Sequence, residues 1–472
     1  MAKRRGRRRR RQRRINSHRK INRIIDGADF ISSMPDEVLQ HILSFIPTDL
    51  AIRTCVLSRR WRHAWSELPC LDFEKTGPGI DRTLSSYRAL KITSFRLRMT
   101  HDADAPDIDS WVEFAVSRNV EKLTLIRGTR YGRATYRFPD LFYLSSSLTK
   151  LRVDDFYMIP RCTVSWSSLR ILTLTCCNLY DDCISNILSG CPKLASLKLH
   201  HFAGLLKRLD LSKSPSLRTL EIYRTYLSSG PMEIVAPHIH YLKLIGSEEP
   251  CTLIDVSSSL AEAYLGICIK NYHISKAGFV QEAGFLQTMV LKMLAQLQNA
   301  ERLTFGSGGT LLQILSLAEL RGVPFPTLKV QTLTLRTMFE KCVIPGIARL
   351  LQNSPGLKKL TVDTRYSRDT IMDKYLDRYL GSQGLNSVTC WASKCEVFPT
   401  WKEIYSMLGC NDATSKLLAS FMELVLRNAM TLKKMVIWLG DKYFNDEQWF
   451  EELLQMVGTL SHNYHVSIEL KR

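Results

Sequence analysis

The residues that could do chemistry are few and scattered. His200-His201 and the pair His238 and His240 are imidazoles close enough in sequence to suggest a metal site. His238 and His240 flank the apolar Ile239, so on a strand they would share one face. Two histidines on a strand face are more often surface or satisfied side chains than ligands. Cys176, Cys177, Cys183 and Cys191 cluster in the chain, but at positions that read as strand and helix, which favours buried packing over thiol chemistry. In the adjacent pair one side chain should face inward and the other outward. Gly306 opens a Gly-Ser-Gly-Gly-Thr stretch after the strand-like Arg-Leu-Thr-Phe. It could cradle a phosphate, yet no Lys-Ser/Thr follows, and glycines after a strand are usually turns. H-E-x-x-H, C-x-x-C, G-x-x-x-x-G-K-[ST] and G-x-S-x-G are all missing. The expectation is a chain without catalytic, cofactor-binding or metal-ligating residues.

The bulk properties bound the alternatives. With 472 residues and 45% hydrophobic content, the chain can build a sizeable core. It holds no run of about 18 uncharged apolar residues, so no membrane span is expected, and its N-terminus lacks the apolar centre of a signal peptide. Thirteen cysteines without framework spacing suit reduced thiols of the cytosol or nucleus. The net charge of +20 is concentrated in a tail. Residues 1–23 hold 13 Lys and Arg and no acid, so without them the charge falls to +7. Such a block repels itself and is expected to be disordered over residues 1–28. Arg4, Arg5, Arg7, Arg8, Arg9, Arg10, Arg11, Arg13 and Arg14 would serve as a nuclear import signal or as a nucleic-acid-binding arm. The tail has no aromatic residue, which leaves base stacking unsupported.

The first patterned element is MPDEVLQHILSFIPTDLAIRTCVLSRRWRHAW, from Met34 to Trp65. It reads as three short helices. Ser33 is placed to cap the first, Pro35 is tolerated in a first turn, and Asp36 and Glu37 suit the positive helix end. Pro47 stops that helix, and Thr48 or Asp49 is placed to cap the second. Ser58 opens the third, with Trp61 and Trp65 four apart on one face. The apolar positions do not fall on one stripe. Leu39 and Leu43 lie on one side, and Val38, Ile42 and Phe45 on another. One face can close a small core, and the other needs cover that about 30 residues cannot supply alone.

This segment resembles the F-box, closely in its plant form, whose pattern runs Leu-Pro, Asp-Glu, Leu, Ile-Leu-Ser, Leu-Pro and Val-Leu-Ser-Lys-Arg-Trp. The resemblance implies binding to the Skp-family adaptor of a cullin-based ubiquitin ligase. The positions that match those the adaptor covers are Met34, Pro35, Leu39, Ile42, Leu43, Ile46, Pro47, Val56 and Trp61. Met34 and Ile46 each stand where the pattern has Leu, apolar swaps that usually cost less than about 1.5 kcal/mol.

Beyond it the sequence repeats. LTKLRV at Leu148, LRILTL at Leu169, LASLKL at Leu194, LRTLEI at Leu217 and IHYLKL at Ile239 all fit L-x-x-L-x-L, 21, 25, 23 and 22 residues apart. LAEAYL at Leu260 follows with Ala in the middle place, and VEKLTL at Val120 precedes them. This period is that of leucine-rich repeats, each giving one short strand that buries alternate side chains only when stacked on its neighbours. DDCISNILSGCPKLASLKL, IPGIARLLQNSPGLKKLTV and SFMELVLRNAMTLKKMVI each read as helix, turn and strand, and HVSIELKR as a last strand. The region resembles the leucine-rich body of plant F-box proteins, and SFMELVLRNAMTLKKMVI the FBD module that ends many of them.

The expected fold is α/β: a three-helix F-box over residues 29–75, then a leucine-rich-repeat solenoid over 90–365 with a curved strand sheet and helices on its outer side. Residues 366–472 would carry degenerate, FBD-like repeats. The resemblance implies a non-catalytic substrate-recognition subunit, using the Skp-family adaptor and, through it, cullin, with a protein target on the repeats and no cofactor or membrane. Outward strand positions include Lys150, Arg152, Arg170, Thr173, Ser196, Lys198, Arg218, Glu221, Tyr241 and Lys243, and they lean basic. The alternatives are a nuclear nucleic-acid-binding scaffold that uses the tail and an interaction scaffold independent of any ligase. The tail favours the nucleus over the cytoplasm.

Overall fold

The computed structural model describes residues 34–472 apart from 58, 76, 78, 100–104, 129–135, 225–229, 247–250, 257–258, 268–277, 307–308, 366–370, 396–397, 399–410 and 441–446. The chain divides into two compact units, Met1–Leu123 and Thr124–Arg472. The basic tail and the Ser33 cap lie outside the described residues.

The first unit opens with α1 (Asp36–Leu43), α2 (Thr48–Arg53) and α3 (Trp61–Ala64), with 3-10 turns at Thr54–Val56 and Trp65–Glu67. Pro35 and Pro47 stand at the two N-caps, where a missing N–H costs nothing, and no side chain caps either helix. Thr48 therefore does other work than capping. It is buried, and its hydroxyl accepts the Asp72 N–H at 2.7 Å, tying α2 to the first strand. That strand, β1 (Cys70–Phe73), pairs in parallel with β2 (Ser94–Met99) from Cys70↔Ser94 to Phe73↔Leu97. Helices Gly79–Ser86 and Ala105–Ser117 accompany them, joined where the Trp111 indole N–H donates to Asp81 at 2.7 Å. β3 (Lys122–Arg127) carries the chain over the boundary between the units.

In the second unit the repeats become strands, and three short strands are added between them. These are β4 (Lys150–Asp154), β5 (Ile171–Thr175), β6 (Ser196–His200), β7 (Arg208–Asp210), β8 (Thr219–Tyr223), β9 (Met232–Val235), β10 (Tyr241–Gly246), β11 (Cys251–Ile254), β12 (Glu262–Ile267), β13 (Arg302–Gly306), β14 (Thr332–Arg336), β15 (Lys359–Asp363), β16 (Lys434–Trp438) and β17 (Ser467–Lys471). The order β4-β5-β6-β8-β10-β12-β13-β14-β15-β16-β17 is parallel throughout. Its register aligns Leu151, Leu172, Leu197, Leu220, Leu242, Ala263 and Leu303 in one buried row, and Val153, Leu174, Leu199, Ile222, Leu244, Leu265 and Phe305 in a second. Ala263 keeps its place in the row although its repeat lacks the leucine.

Three residues with positive φ close their strands: Asp155 (66°), Cys176 (52°) and His201 (52°). A non-glycine residue in this region carries about 1 kcal/mol or more of strain. The turn aims each N–H at the neighbouring strand's last carbonyl, Thr175, His200 and Tyr223, at 2.8, 2.8 and 2.7 Å. The chain then makes a second ladder. Tyr157, Asn178 and Ala203 form isolated bridges, and β7, β9 and β11 form a separate parallel sheet in the order β11-β9-β7. Short strands thus stand where helices are expected between β6 and β12. Helices return at Gly278–Gln296, Thr310–Leu320, Ile344–Gln352, Asp373–Ser382, Ser387–Cys395, Asn411–Asn428 and Glu447–Tyr464. At Gly346 a Cβ would come within 2.6 Å of the Leu312 carbonyl, so only glycine lets helix Ile344–Gln352 approach helix Thr310–Leu320.

Glu340 lies buried just before helix Ile344–Gln352, near the thiol of Cys342, which points at its Oε2 from 3.4 Å. Burial pushes its carboxyl up to about 7 against an ordinary 4.5, and Asp373 adds to the rise. The folded state then holds a proton that the unfolded chain gives up. Glu340 is neutral in both states below about pH 4.5, and its favourable contribution is lost as pH climbs from there to 7. Glu340→Gln should therefore raise the stability of the second unit by about 1–3 kcal/mol at pH 8 and leave it unchanged near pH 4.5. Urea unfolding at both pH values checks this, and parallel pH profiles for the two proteins would contradict it.

Candidate functional site

The first helices hold two opposed sets of apolar side chains. Leu39, Leu43, Ala51, Trp61 and Leu68 close a small core, with Met34, Ile46, Ala64 and Trp65 packed at its margin. The core is pinned at both ends. Asp36 at the start of α1 receives the Arg60 guanidinium at 2.7 Å, although 24 residues separate them. At the other end the Tyr87 hydroxyl donates to the Leu68 carbonyl, and burial pushes that hydroxyl up to about 12.

The opposite set faces solvent. Val38 and Ile42 on α1 and Phe45 in the turn after it recur at i, i+4 and i+7, and Phe45 is 75% exposed, with the His41 ring edge-on at 4.9 Å. Leu50 on α2 is exposed, as are Val56 and Leu57 in the following turn, Val56 to 84%. Single exposed hydrophobics are ordinary, but six large ones between Val38 and Leu57 make a surface that calls for a partner.

This division sorts the nine sequence-matched positions. Ile42, Val56 and Pro35 are exposed. Met34, Ile46 and Pro47 are partly covered, and Leu39, Leu43 and Trp61 are spent on the internal core. The last three hold the helices in place and offer little surface of their own. Val38, Phe45, Leu50 and Leu57 join the open face. Their signal was in the sequence, since Val38, Ile42 and Phe45 share a helix side distinct from that of Leu39 and Leu43.

The model of the F-box domain matches residues 31–73. The model for the leucine-rich repeats of FBD-associated F-box protein At5g56370 matches residues 108–274. Over the whole chain, the putative F-box/LRR-repeat protein At3g28410 of Arabidopsis thaliana is 60% identical, covering 100% of this chain and 99% of that protein. The chain belongs to the F-box/LRR-repeat family. A second Arabidopsis thaliana relative, putative F-box/LRR-repeat protein At5g02700, is 59% identical over 96% of this chain and 95% of its own length. F-box/LRR-repeat protein At5g02910 is 50% identical over 95% of this chain and 96% of its own. An F-box/LRR-repeat protein of this plant family has the role of an adaptor, and proteins of the family are generally non-catalytic.

The residues first considered for chemistry are not assembled into a centre. Cys177 is buried, Cys191 is buried, and burial pushes both thiols up to about 12, so they are protonated and poor nucleophiles at neutral pH. Cys176 is half-buried in the left-handed turn that follows β5, beside the fully buried Cys177. His238 and His240 sit in the turn before β10 rather than on a strand. His200 ends β6 beside Glu221, 3.7 Å away, and burial lowers its pKa. Among the described residues no group of three or more His, Cys, Asp or Glu is placed to hold a metal ion, and no helix is long and apolar enough to cross a membrane. Gly306 answers to a steric need. Its Cβ would come within 1.7 Å of the Tyr264 hydroxyl oxygen.

The two sets should respond oppositely to truncation. Leu39→Ala or Leu43→Ala should destabilise the first unit by about 2–5 kcal/mol. Phe45→Ala and Val56→Ala should change its stability by no more than about 0.5 kcal/mol. Thermal melts of the four full-length variants separate these outcomes, and a large loss with Phe45→Ala would mean that its ring is covered within the chain.

Proposed function

We propose that this chain is the substrate-recognition subunit of a Skp-cullin-F-box ubiquitin ligase, its F-box binding the Skp-family adaptor and its repeats a protein target. The observation that carries the reading is the stripe of Val38 and Ile42 on α1 with Phe45 in the turn that follows, left open while Leu39 and Leu43 on α1 close the internal core. Fully burying a side chain of this size is favourable by about 1.5–3 kcal/mol, so three of them make a substantial anchor for an apolar partner surface. The adaptor-binding positions are then Ile42 and Val56 in direct contact, with Met34, Pro35, Ile46 and Pro47 at the margin and Leu39, Leu43 and Trp61 beneath. Holding a target near a ligase turns ubiquitin transfer into an effectively intramolecular event, with a local concentration of order mM. Such work needs geometry and no active site in this chain. Residues 366–472 fit an FBD-like ending, since SFMELVLRNAMTLKKMVI spans the end of helix Asn411–Asn428, a turn and β16. The arginine-rich tail supports a nuclear location.

The test is a pull-down of the full chain with a Skp-family adaptor and cullin, comparing wild type with Ile42→Asp/Phe45→Asp. The double change puts charge on the open face and leaves the core alone, so melting should be unaltered while adaptor affinity falls at least 100-fold, about 2.7 kcal/mol. Wild type that melts normally and binds no adaptor would overturn the reading. Adaptor binding without cullin would favour a scaffold independent of the ligase. Retention on nucleic acid that vanishes when the nine tail arginines become Gln would favour the nucleic-acid scaffold.

A further inference from the structure

The outward strand face of the second unit carries its own electrostatic pattern. Its side chains come from the first, third and fifth positions of β4 to β17 outside the small sheet. They include nine Lys and Arg against five Asp and Glu. The excess is amplified by depth. In each ion pair the carboxylate is the less exposed member: Glu221 is 16% exposed under Lys198 at 34%, and Asp363 8% under Arg365 at 35%. Anything approaching this face meets cations first.

Two of its aromatic rings hold cations in place. On β12 the Tyr264 ring lies across the strand end, over the space that Gly306 clears. The Lys243 ammonium is 5.2 Å from the ring centroid and the Arg336 guanidinium 5.6 Å, within cation–π range. They reach it from β10 on one side and β14 on the other. Arg336 also donates to the Tyr264 hydroxyl at 3.4 Å. On β16 the Trp438 ring has the Arg365 guanidinium at 4.4 Å and the Lys471 ammonium at 5.5 Å. Four long side chains are thus held before any ligand arrives, which lowers the entropic cost of binding.

We propose that this face docks an extended acidic segment of a target protein, with acidic residues on the Tyr264 and Trp438 stations. The proposal rests on the reading of the repeats as the target-binding part. Four strand spacings separate β12 from β16, roughly 19 Å, and an extended peptide at about 3.3 Å per residue crosses that in about six residues. The segment should carry two acidic clusters about six residues apart. A protein segment fits better than a nucleic acid, because the middle outward positions between the two stations are the uncharged Thr304, Thr334 and Thr361, which suits separated carboxylates rather than a continuous phosphate chain.

Fluorescence polarisation tests this with the full chain whose nine tail arginines, Arg4 to Arg14, are changed to Gln. The probes are labelled Gly/Ser peptides with two Asp-Glu pairs six residues apart, with the pairs adjacent, or with Lys in their place. Lys243→Gln/Lys471→Gln should weaken the spaced peptide at least 10-fold. Gly306→Ala, which displaces the Tyr264 ring and leaves every charge, should weaken it at least 5-fold in a protein that still melts cooperatively. The adjacent pairs should bind less tightly, and the Lys peptide should not bind. The proposal is overturned if no probe binds, if the face variants bind as the parent does, or if spacing makes no difference. A 12-nucleotide single-stranded RNA that outcompetes the acidic peptide and is lost with the same Lys→Gln changes would also overturn it. No adaptor is present, so these outcomes are independent of the pull-down.

Discussion

The second unit depends on one constraint: a five-residue strand with two inward side chains cannot bury them alone. Leu172 and Leu174 of β5 are fully covered only because Leu151 and Val153 of β4 and Leu197 and Leu199 of β6 stand beside them in register. Each strand is both core and cover for its neighbours, so the energetics are those of a stack. The period-2 pleat then forces the intervening side chains outward, and parallel pairing repeats the same outward positions in rows. A broad outward face of aligned side chains is the by-product of the way the core is built.

The first unit follows a different economy. A helix of eight residues, α1, divides its apolar side chains between an internal core and open solvent. The internal share, Leu39 and Leu43 with Ala51, Trp61 and Leu68, is small, and the Asp36–Arg60 and Tyr87–Leu68 ties compensate at its ends. Further core could have been made by turning Phe45 or Val56 inward. Leaving them out lowers the stability of the isolated unit and keeps apolar area free for association, where its burial is still available.

Much of this was legible in the residues. The L-x-x-L-x-L spacing located β4, β5, β6, β8, β10 and β12, because side-chain burial at fixed intervals defines those strands. The helix-turn-strand readings correspond to helices Asp181–Ser189, Ile344–Gln352 and Asn411–Asn428. The second ladder was not legible, since its bridges at Tyr157, Asn178 and Ala203 follow the left-handed turns at Asp155, Cys176 and His201, and β7, β9 and β11 are too short to carry a repeat pattern. Those turns use Asp, Cys and His, and no glycine marks them. Helix Asp373–Ser382 was obscured by its charges, although Tyr375, Leu376, Tyr379 and Leu380 recur on one face and are buried. At the candidate site, helical spacing separated core from open face correctly, while the matched positions mixed them. A family pattern records which residues a fold requires and does not distinguish those that touch a partner from those that hold the touching ones in place.

The same reasoning gives weight to places where a local rule is broken. Glycine is a poor strand residue, because it has no side chain to pack and loses more entropy on ordering than any other. Gly306 nevertheless ends β13, beside Gly266 in register on β12. A side chain at 306 would stand where the Tyr264 ring now lies, and the ring would have to leave the sheet surface and give up its positions relative to Lys243 and Arg336. The loss of strand propensity at one position is offset by an arrangement of three side chains from three strands. Nothing in the inward rows requires that arrangement, since Leu303 and Phe305 fill the core whether or not Tyr264 lies flat. The arrangement therefore belongs to the outward side, the face proposed above to receive an acidic segment.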